Sequence, residues 1–296
     1  MRDIYLYMIY LYMIYASLKA GKEILKIYKS NNLNIDYKED KTPVTLADKL
    51  ANKIIKDILK IFKIPFVSEE DFNDDLNEKR LSFNAFFIID PLDGTKEFIK
   101  KSDEFTVNIA FFKDKNLNFG VVLAPALNVL YFGGKNIGAY KIENVYDIFP
   151  FQKLNSFKNF RQIFYEAKEG KVIKNIKTFP TQHSYLLKVC TSRSHLDENT
   201  LNFIKKLKKD FEIQLEKIGS SLKFCLVAEG KAHLYPRFSP TMEWDTAAAQ
   251  GVLEGAGGEV LTLDGKVLTY NKKNIKNPPF LALFNKSFFE KIKKYL

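Results

Sequence analysis

Four large apolar residues in a row, Phe86-Phe87-Ile88-Ile89, run directly into Asp90-Pro91-Leu92-Asp93-Gly94-Thr95-Lys96-Glu97-Phe98. A stretch apolar at every position predicts a strand buried on both faces, and it should end at Pro91 because proline cannot donate to a ladder. Upstream the period changes. Ala47, Leu50, Ala51, Ile54, Ile55, Ile58 and Leu59 recur at helical spacing after Pro43-Val44-Thr45, which predicts a loop entering an amphipathic helix. Downstream, Phe105 to Phe112 and Phe119 to Leu123 predict paired strands around Lys113-Asp114-Lys115-Asn116, and Asn128 to Phe132 returns before the Gly133-Gly134 turn. These strands form a first antiparallel sheet whose alternating apolar residues belong to the core.

Beyond that sheet, Tyr185 to Thr191 predicts a short strand, Gly219-Ser220-Ser221 opens a helix over Leu222 to Glu229, and a second helix runs from Glu243 through Glu254 to the stop Gly255-Ala256-Gly257-Gly258. Residues 71–82, rich in Asn, Asp and Lys, read as a mobile connection. Residues 141–180 show no clean period and read as a crossing between two lobes, with a boundary near 150: an N-terminal α+β lobe over 1–150 and a C-terminal α/β lobe over 151–296. At the N-terminus Ile4-Tyr5-Leu6-Tyr7-Met8 is followed by the near-copy Ile9-Tyr10-Leu11-Tyr12-Met13. This apolar run is too short to span a bilayer. Its later part is read as the start of a packed first helix continuing through Ala20 to Tyr28, and the first copy as an extension that frays or touches a membrane surface.

Composition narrows the class. A chain of 296 residues with 46% hydrophobic content can build one large domain or two lobes sharing a core. The formal charge of +11 comes from lysines scattered along the whole chain, without an arginine-rich tract, so it suits capture of a small polyanion better than specific nucleic-acid binding. Cys190 and Cys225 each lie in an apolar run, which points to buried, reduced thiols and a cytoplasmic setting.

The acids carry the chemistry. A bend at Pro91-Leu92 would aim Asp90 and Asp93 into one crevice, where two like charges about 4 Å apart repel by roughly 1 kcal/mol in water and about 4 kcal/mol at an effective dielectric near 20. A divalent cation compensates, and hard oxygen ligands without His or Cys favour Mg²⁺ or Mn²⁺ over Zn²⁺. The string is also rich in turn residues and would serve as a surface turn. More acids stand at element ends than turns require, however: Glu69-Glu70-Asp71 follow the strand-like Ile64-Pro65-Phe66-Val67, and Asp245 opens an Ala-rich helical run. For Asp48, in the first turn of its helix, a role complementing the helix dipole is a complete alternative, as is an N-cap for Asp245. Ser192-Arg193-Ser194-His195, where a strand hands over to a helix, fits either a loop facing a ligand or a capped helix start.

Glu69-Glu70, then Asp90-Pro91-Leu92-Asp93-Gly94-Thr95, then Trp244-Asp245-Thr246-Ala247-Ala248 resemble the signature of the inositol monophosphatase superfamily of metal-dependent, lithium-sensitive phosphatases. Lys96-Glu97-Phe98, Phe105 to Ala110, Gly219 to Phe224 and Leu234-Tyr235-Pro236-Arg237-Phe238 resemble its 3'(2'),5'-bisphosphate nucleotidases, in particular the bacterial CysQ branch. The resemblance implies an α/β, sugar-phosphatase-type fold, a layered α/β/α/β/α sandwich of two lobes with the site between them. It implies two or three Mg²⁺ ions, with Mn²⁺ as a substitute: Glu69, Asp90 and the Leu92 carbonyl on the first, Asp90, Asp93 and Asp245 on the second. Asp48 and Thr95 would hold the attacking water, Gly94 and Thr95 amides would cradle the phosphate, and Glu70 would stand in an outer role. Ser220, Lys223 and Arg237 would surround the phosphate that is not cleaved, and His195 would pack on adenine. The implied reaction converts adenosine 3',5'-bisphosphate and water to AMP and phosphate, clearing the by-product of sulfate activation, with 3'-phosphoadenylyl sulfate as a further substrate. An inositol or fructose-1,6-bisphosphatase-like sugar phosphatase would use the same acids. A basic nucleic-acid- or membrane-associated protein with a degenerate site is the reading from a different class. The implied location is cytoplasmic, with peripheral contact at the inner face of the cell membrane through the N-terminus.

Overall fold

The run at 86–89 divides its side chains between two cores, and that division sets the layers. The computed structural model describes residues 2–30, 35–37, 43–179, 185–193 and 197–296. Helix α1 (Arg2–Lys29) leads to the hairpin β1 (Ile35–Tyr37) and β2 (Pro43–Thr45), then α2 (Leu46–Leu59), β3 (Phe66–Ser68), α3 (Asp74–Lys79), β4 (Ala85–Asp93) and α4 (Thr95–Ile99). A meander follows: β5 (Thr106–Lys113), β6 (Asn116–Ala124), β7 (Val129–Gly134) and β8 (Gly138–Glu143), then α5 (Val145–Ile148), α6 (Phe157–Glu169) and β9 (Lys174–Ile176). Strands β3 to β9 form one seven-stranded sheet in sequence order, antiparallel except for the β3–β4 pair. Phe87 and Ile89 face α1, α2 and α6, whereas Phe86 and Ile88 face the rest of the molecule.

The second half supplies β10 (Leu186–Thr191), α7 (Glu198–Leu207), β11 (Glu212–Lys217), α8 (Leu222–Ala228), β12 (Leu234–Arg237), β13 (Thr241–Met242), α9 (Glu243–Gly255), β14 (Glu259–Thr262), β15 (Lys276–Asn277), β16 (Phe280–Leu283) and α10 (Ser287–Ile292). Five of its strands make a second sheet in the order β11-β10-β12-β16-β14, with β10, β11 and β12 parallel. The two parallel crossovers run in opposite directions along the sheet, so right-handed connections put α7 and α8 on opposite faces. Helices α8 and α9 pack on each other between the sheets, which gives the expected α/β/α/β/α layering.

Several expectations need correction. Strand β4 does not stop at Pro91 but continues to Asp93, where pairing resumes with Thr106 after a register break; Pro91 lies in the unpaired bulge, where no N–H is needed. Residues 71–82 are not a loose connection: α3 forms there, and the fully buried Arg80 donates to Asn77 Oδ1, Asn271 Oδ1 and the Lys272 carbonyl. Nor is 141–180 only a crossing, since α6 buries Phe160 and Phe164 beneath α1 and β9 closes the first sheet from beyond residue 150. The tyrosine-rich leader is one continuous helix from Arg2. Its second copy is buried at Ile9, Leu11 and Met13, while Ile4 and Tyr5 stay exposed. Among the described residues no helix is long and apolar enough to cross a membrane.

Helix α9 sits unusually close to the first sheet because glycines face it. A Cβ on Gly120 of β6 would stand 1.9 Å from the Ala248 carbonyl oxygen, and one on Gly255 would stand 2.5 Å from the Gly138 carbonyl oxygen. Backbone cannot yield as a flexible side chain does. Gly120→Ala is therefore expected to cost about 3 kcal/mol or more through forced separation of α9 from the sheet, seen as a lower urea midpoint at unchanged m-value. A midpoint equal to the parent's would show that α9 does not seat this closely.

Candidate active site

Parallel pairing of β3 with β4 aligns Ser68 with Ile89, so Glu69, the first residue past the end of β3, comes out beside Asp90, which is still paired with Asn108 in β4. Asp245 reaches the same place from the first turn of α9. One ligand oxygen from each of Glu69, Asp90 and Asp245 lies within 4.8 Å of the other two. Three acids from distant parts of the chain thus converge, as the sequence predicts. Asp90 is buried, and its Oδ1 accepts the Leu92 N–H at 3.0 Å.

Electrostatics register the crowding. Burial first, then Glu69, Asp93 and Asp245, push the Asp90 carboxyl well above the usual range. Asp245 is raised to about 8 by burial, then by Asp93 and Glu69. Crowding disfavours ionisation of Asp90 and Asp245 unless a cation joins them, and an all-oxygen donor set of this kind fits a hard divalent ion.

Asp93 is close enough to raise both neighbours, yet its Oδ2 is already engaged. It accepts from Ser220 Oγ and from the Ser221 N–H, each at 2.6 Å. Burial raises its pKa while Lys223 and the Ser220 and Ser221 hydrogen bonds pull it down. Leu92 is buried, and its carbonyl lies 3.4 Å from Thr95 Oγ1.

Asp48 serves two readings at once. Its Oδ2 accepts from Thr45 N at 2.8 Å and Thr45 Oγ1 at 2.6 Å, a capping arrangement, while its Oδ1 accepts from Thr95 Oγ1 at 3.2 Å. Burial raises its pKa, the Thr45 hydrogen bonds oppose this, and Glu70 adds to the rise. Asp245 is likewise not the N-cap but stands three residues inside, with Oδ2 accepting the Met242 N–H at 2.7 Å. Ser221, in the cap position of α8, makes no cap hydrogen bond; its Oγ bonds Asn108 Oδ1 at 2.8 Å and Thr106 Oγ1 at 2.9 Å. Gly94 adopts φ +89°, the left-handed turn that leads into α4.

A cleft of about 160 Å³ is lined by Asp93, Gly94 and Asp245 together with Ser220, Lys223 and Arg237. Lys223 is buried, its ammonium 5.3 Å from the Tyr235 ring centroid and bonded to the Ser220 carbonyl. Burial lowers its pKa and Asp93 opposes the fall. Among the described residues, Arg237 Nε is buried without a hydrogen-bond acceptor, and Arg237 lines the cleft. His195 lies outside the described residues. Ser221, Thr106 and Asn108 join one another by hydrogen bonds beside Asp93, a role that no local motif marks. The trace that Thr106 and Asn108 leave is two polar residues at strand period on a strand otherwise apolar through Phe112.

Comparison with known proteins agrees with this arrangement. The model for the Inositol monophosphatase family matches residues 9–294. The 3'(2'),5'-bisphosphate nucleotidase CysQ of Buchnera aphidicola is 39% identical over 256 residues, covering 85% of this chain and 83% of that protein. The protein of the same name from Salmonella typhimurium is 37% identical over 265 residues, covering 88% and 94%. The crystal structure of CysQ from Bacteroides thetaiotaomicron, described as a bacterial member of the inositol monophosphatase family, superposes with a TM-score of 0.77 at 37% identity, covering 92% of this chain and 95% of that one. A metal-fitting acid cluster between two sheets and a family match over nearly the whole length lead to one conclusion: the chain belongs to the inositol monophosphatase family, whose members are metal-dependent.

Proposed function

We propose that this protein is a Mg²⁺-dependent 3'(2'),5'-bisphosphate nucleotidase that hydrolyses adenosine 3',5'-bisphosphate to AMP and phosphate, with 3'-phosphoadenylyl sulfate as a second substrate. The observation that carries the reading is one cleft where Asp245 of the converging acid cluster meets Asp93, Lys223 and Arg237, whose buried Nε has no acceptor among the described residues. The nucleotidase relatives support it. A phosphomonoester needs only the acid end, and a bisphosphate also needs a held second dianion.

Glu69, Asp90 and the Leu92 carbonyl would hold one ion, and Asp90, Asp93 and Asp245 another. When bound, such ions activate water and stabilise the leaving oxygen. The chain's own groups do the rest. The Thr95 hydroxyl donates to Asp48 and so keeps a lone pair with which to orient the attacking water, while capping by Thr45 keeps Asp48 from turning away. The Gly94 and Thr95 amides cradle the phosphate, and Glu70, beside Asp48, has an outer role. Ser220, Lys223 and Arg237 hold the phosphate that stays, and His195 stacks on adenine. The first sheet, which runs on past residue 150 to β9, then brings most of the acids, and the second half of the chain brings the basic wall and Asp245. A cytoplasmic location goes with this reading, supported by the free, buried Cys190 and Cys225.

Phosphate release from adenosine 3',5'-bisphosphate, inositol 1-phosphate and fructose 1,6-bisphosphate, each with and without chelator, tests the assignment. Fastest release from the nucleotide, abolished by chelator, is expected; equal rates on all three would remove the nucleotide specificity. Lys223→Ala should raise KM for the bisphosphate about tenfold or more with a smaller change in kcat, because it removes a contact to the phosphate that does not react. A parent-like KM would take Lys223 out of the substrate site.

Metal binding should depend on pH in a definite direction. Asp245 holds its proton up to about pH 8 in the free protein, and an ion must displace that proton. Mg²⁺ affinity measured by calorimetric titration should therefore rise between about pH 6 and about pH 9 and then level off. The folded-state pKa lies above the unfolded value, so the ionised acid costs stability as pH rises, and added Mg²⁺ should raise Tm more at the alkaline end. A pH-independent affinity would contradict this.

A further inference from the structure

The loops that leave β10 and β11 are tied to the first sheet by one carboxylate. Glu104, two residues ahead of β5, accepts from Arg193 Nε at 2.9 Å and from Arg193 Nη2 at 2.6 Å, and its Oε2 also accepts the Gly219 N–H at 2.7 Å. Arg193 Nη2 reaches the Lys217 carbonyl as well, at 3.0 Å. A planar two-pronged fork thus spans from the end of β10, past the end of β11, to the layer that carries Asp90.

Packing at two glycines fixes the same place independently. A Cβ on Gly219 would stand 2.9 Å from the Glu104 carbonyl oxygen and 3.0 Å from Glu104 Cβ, and one on Gly94 would stand 3.2 Å from that carbonyl oxygen. Glu104 is therefore wedged between Gly94, in the turn beside Thr95, and Gly219, which precedes Ser220, Ser221 and Lys223. Among the described residues, Asp90 and Asp245 bond to the Leu92 and Met242 N–H groups and not to Glu104 or Arg193, so the fork is separate from what anchors those two acids. With Arg193 half exposed, the pair contributes little to stability, and its two-point geometry acts on position instead.

We propose that Glu104 and Arg193 are positioning residues for substrate specificity: their fork fixes the span between the turn that receives the phosphate to be cleaved and the loop and helix that hold the second phosphate. The inference rests on the nucleotidase reading above. A substrate with one phosphate is indifferent to this span. A bisphosphate is not.

The test is steady-state kinetics on adenosine 3',5'-bisphosphate, together with calorimetric Mg²⁺ titration of the substrate-free protein, for Glu104→Gln, Arg193→Met, Arg193→Lys and the double variant Glu104→Gln/Arg193→Met. KM should rise about tenfold in Glu104→Gln and Arg193→Met, with kcat within about twofold and Mg²⁺ affinity unchanged. Arg193→Lys, which keeps the charge without the fork, should fall between, and the double variant should be no worse than the worse single. Parent-like KM in all variants, or kcat, KM and Mg²⁺ affinity moving together as general loosening would make them, overturns the proposal. A parent protein that hydrolyses other phosphates but not the bisphosphate overturns the nucleotidase reading and this inference with it; an active parent with unaltered variants overturns this inference alone.

Discussion

One carboxyl oxygen from each of residues 69, 90 and 245 lies within 4.8 Å of the other two, and if all three were ionised, like charges at such distances would repel by roughly 3 to 4 kcal/mol per pair at an effective dielectric near 20. Much of the architecture can be understood as holding that unfavourable meeting in place. Two of the acids stand on adjacent parallel strands, Asp90 within β4 and Glu69 just past the end of β3, and the ladder prevents them from separating. The third is carried by α9, packed onto the first sheet through Gly120 and Gly255 and pinned at its own N-terminus. The scaffold brings the carboxyls together in advance, so a cation that joins them finds its ligands already placed.

The pinning of α9 involves another buried charge. Glu243, nearly inaccessible, accepts the Asn271 and Lys272 N–H groups and the Lys272 ammonium, and Arg80 lies 3.9 Å away. Removing one partner of such a set leaves a buried charge without compensation, so the set specifies one arrangement more than it adds stability. Its position, two residues from Asp245, links the segment 271–272 and the end of α3 to the placement of that acid.

Much of this was legible in the sequence, for reasons that differ by residue. Phe86 to Ile89 could be read as a two-faced buried strand because every position is apolar, and α2 because its apolar residues repeat at helical spacing. The helix over 157–169 does carry a helical stripe, Phe157, Phe160, Phe164 and Ala167, but it is short and flanked by stretches without a period, so it is masked when 141–180 is read as a whole. Arg80 escaped because a surface-like composition of Asn, Asp and Lys surrounds it, and only partners nearly two hundred residues away show that it is buried. The contact of Glu104 with Arg193 and Gly219 was hidden for the same reason: a charged pair far apart in sequence has no local pattern.

The alternatives that sequence reasoning leaves open at Asp48 and Asp245, helix cap against chemistry, prove not to compete. A carboxylate has two oxygens, and at Asp48 one closes the capping box with Thr45 while the other meets Thr95. At Asp245, Oδ2 takes the Met242 N–H, and Oδ1 makes no hydrogen bond among the described residues. Asp93 repeats the scheme, with Oδ2 fixed by Ser220 and Ser221. A side chain anchored through one oxygen has lost its rotamer freedom before any ligand arrives, so the other oxygen is presented without a further ordering cost. Cap-forming acids at the first turns of helices are thus suited to hold a reactive centre, and the turn-rich, cap-rich character of these motifs is part of how the site is built.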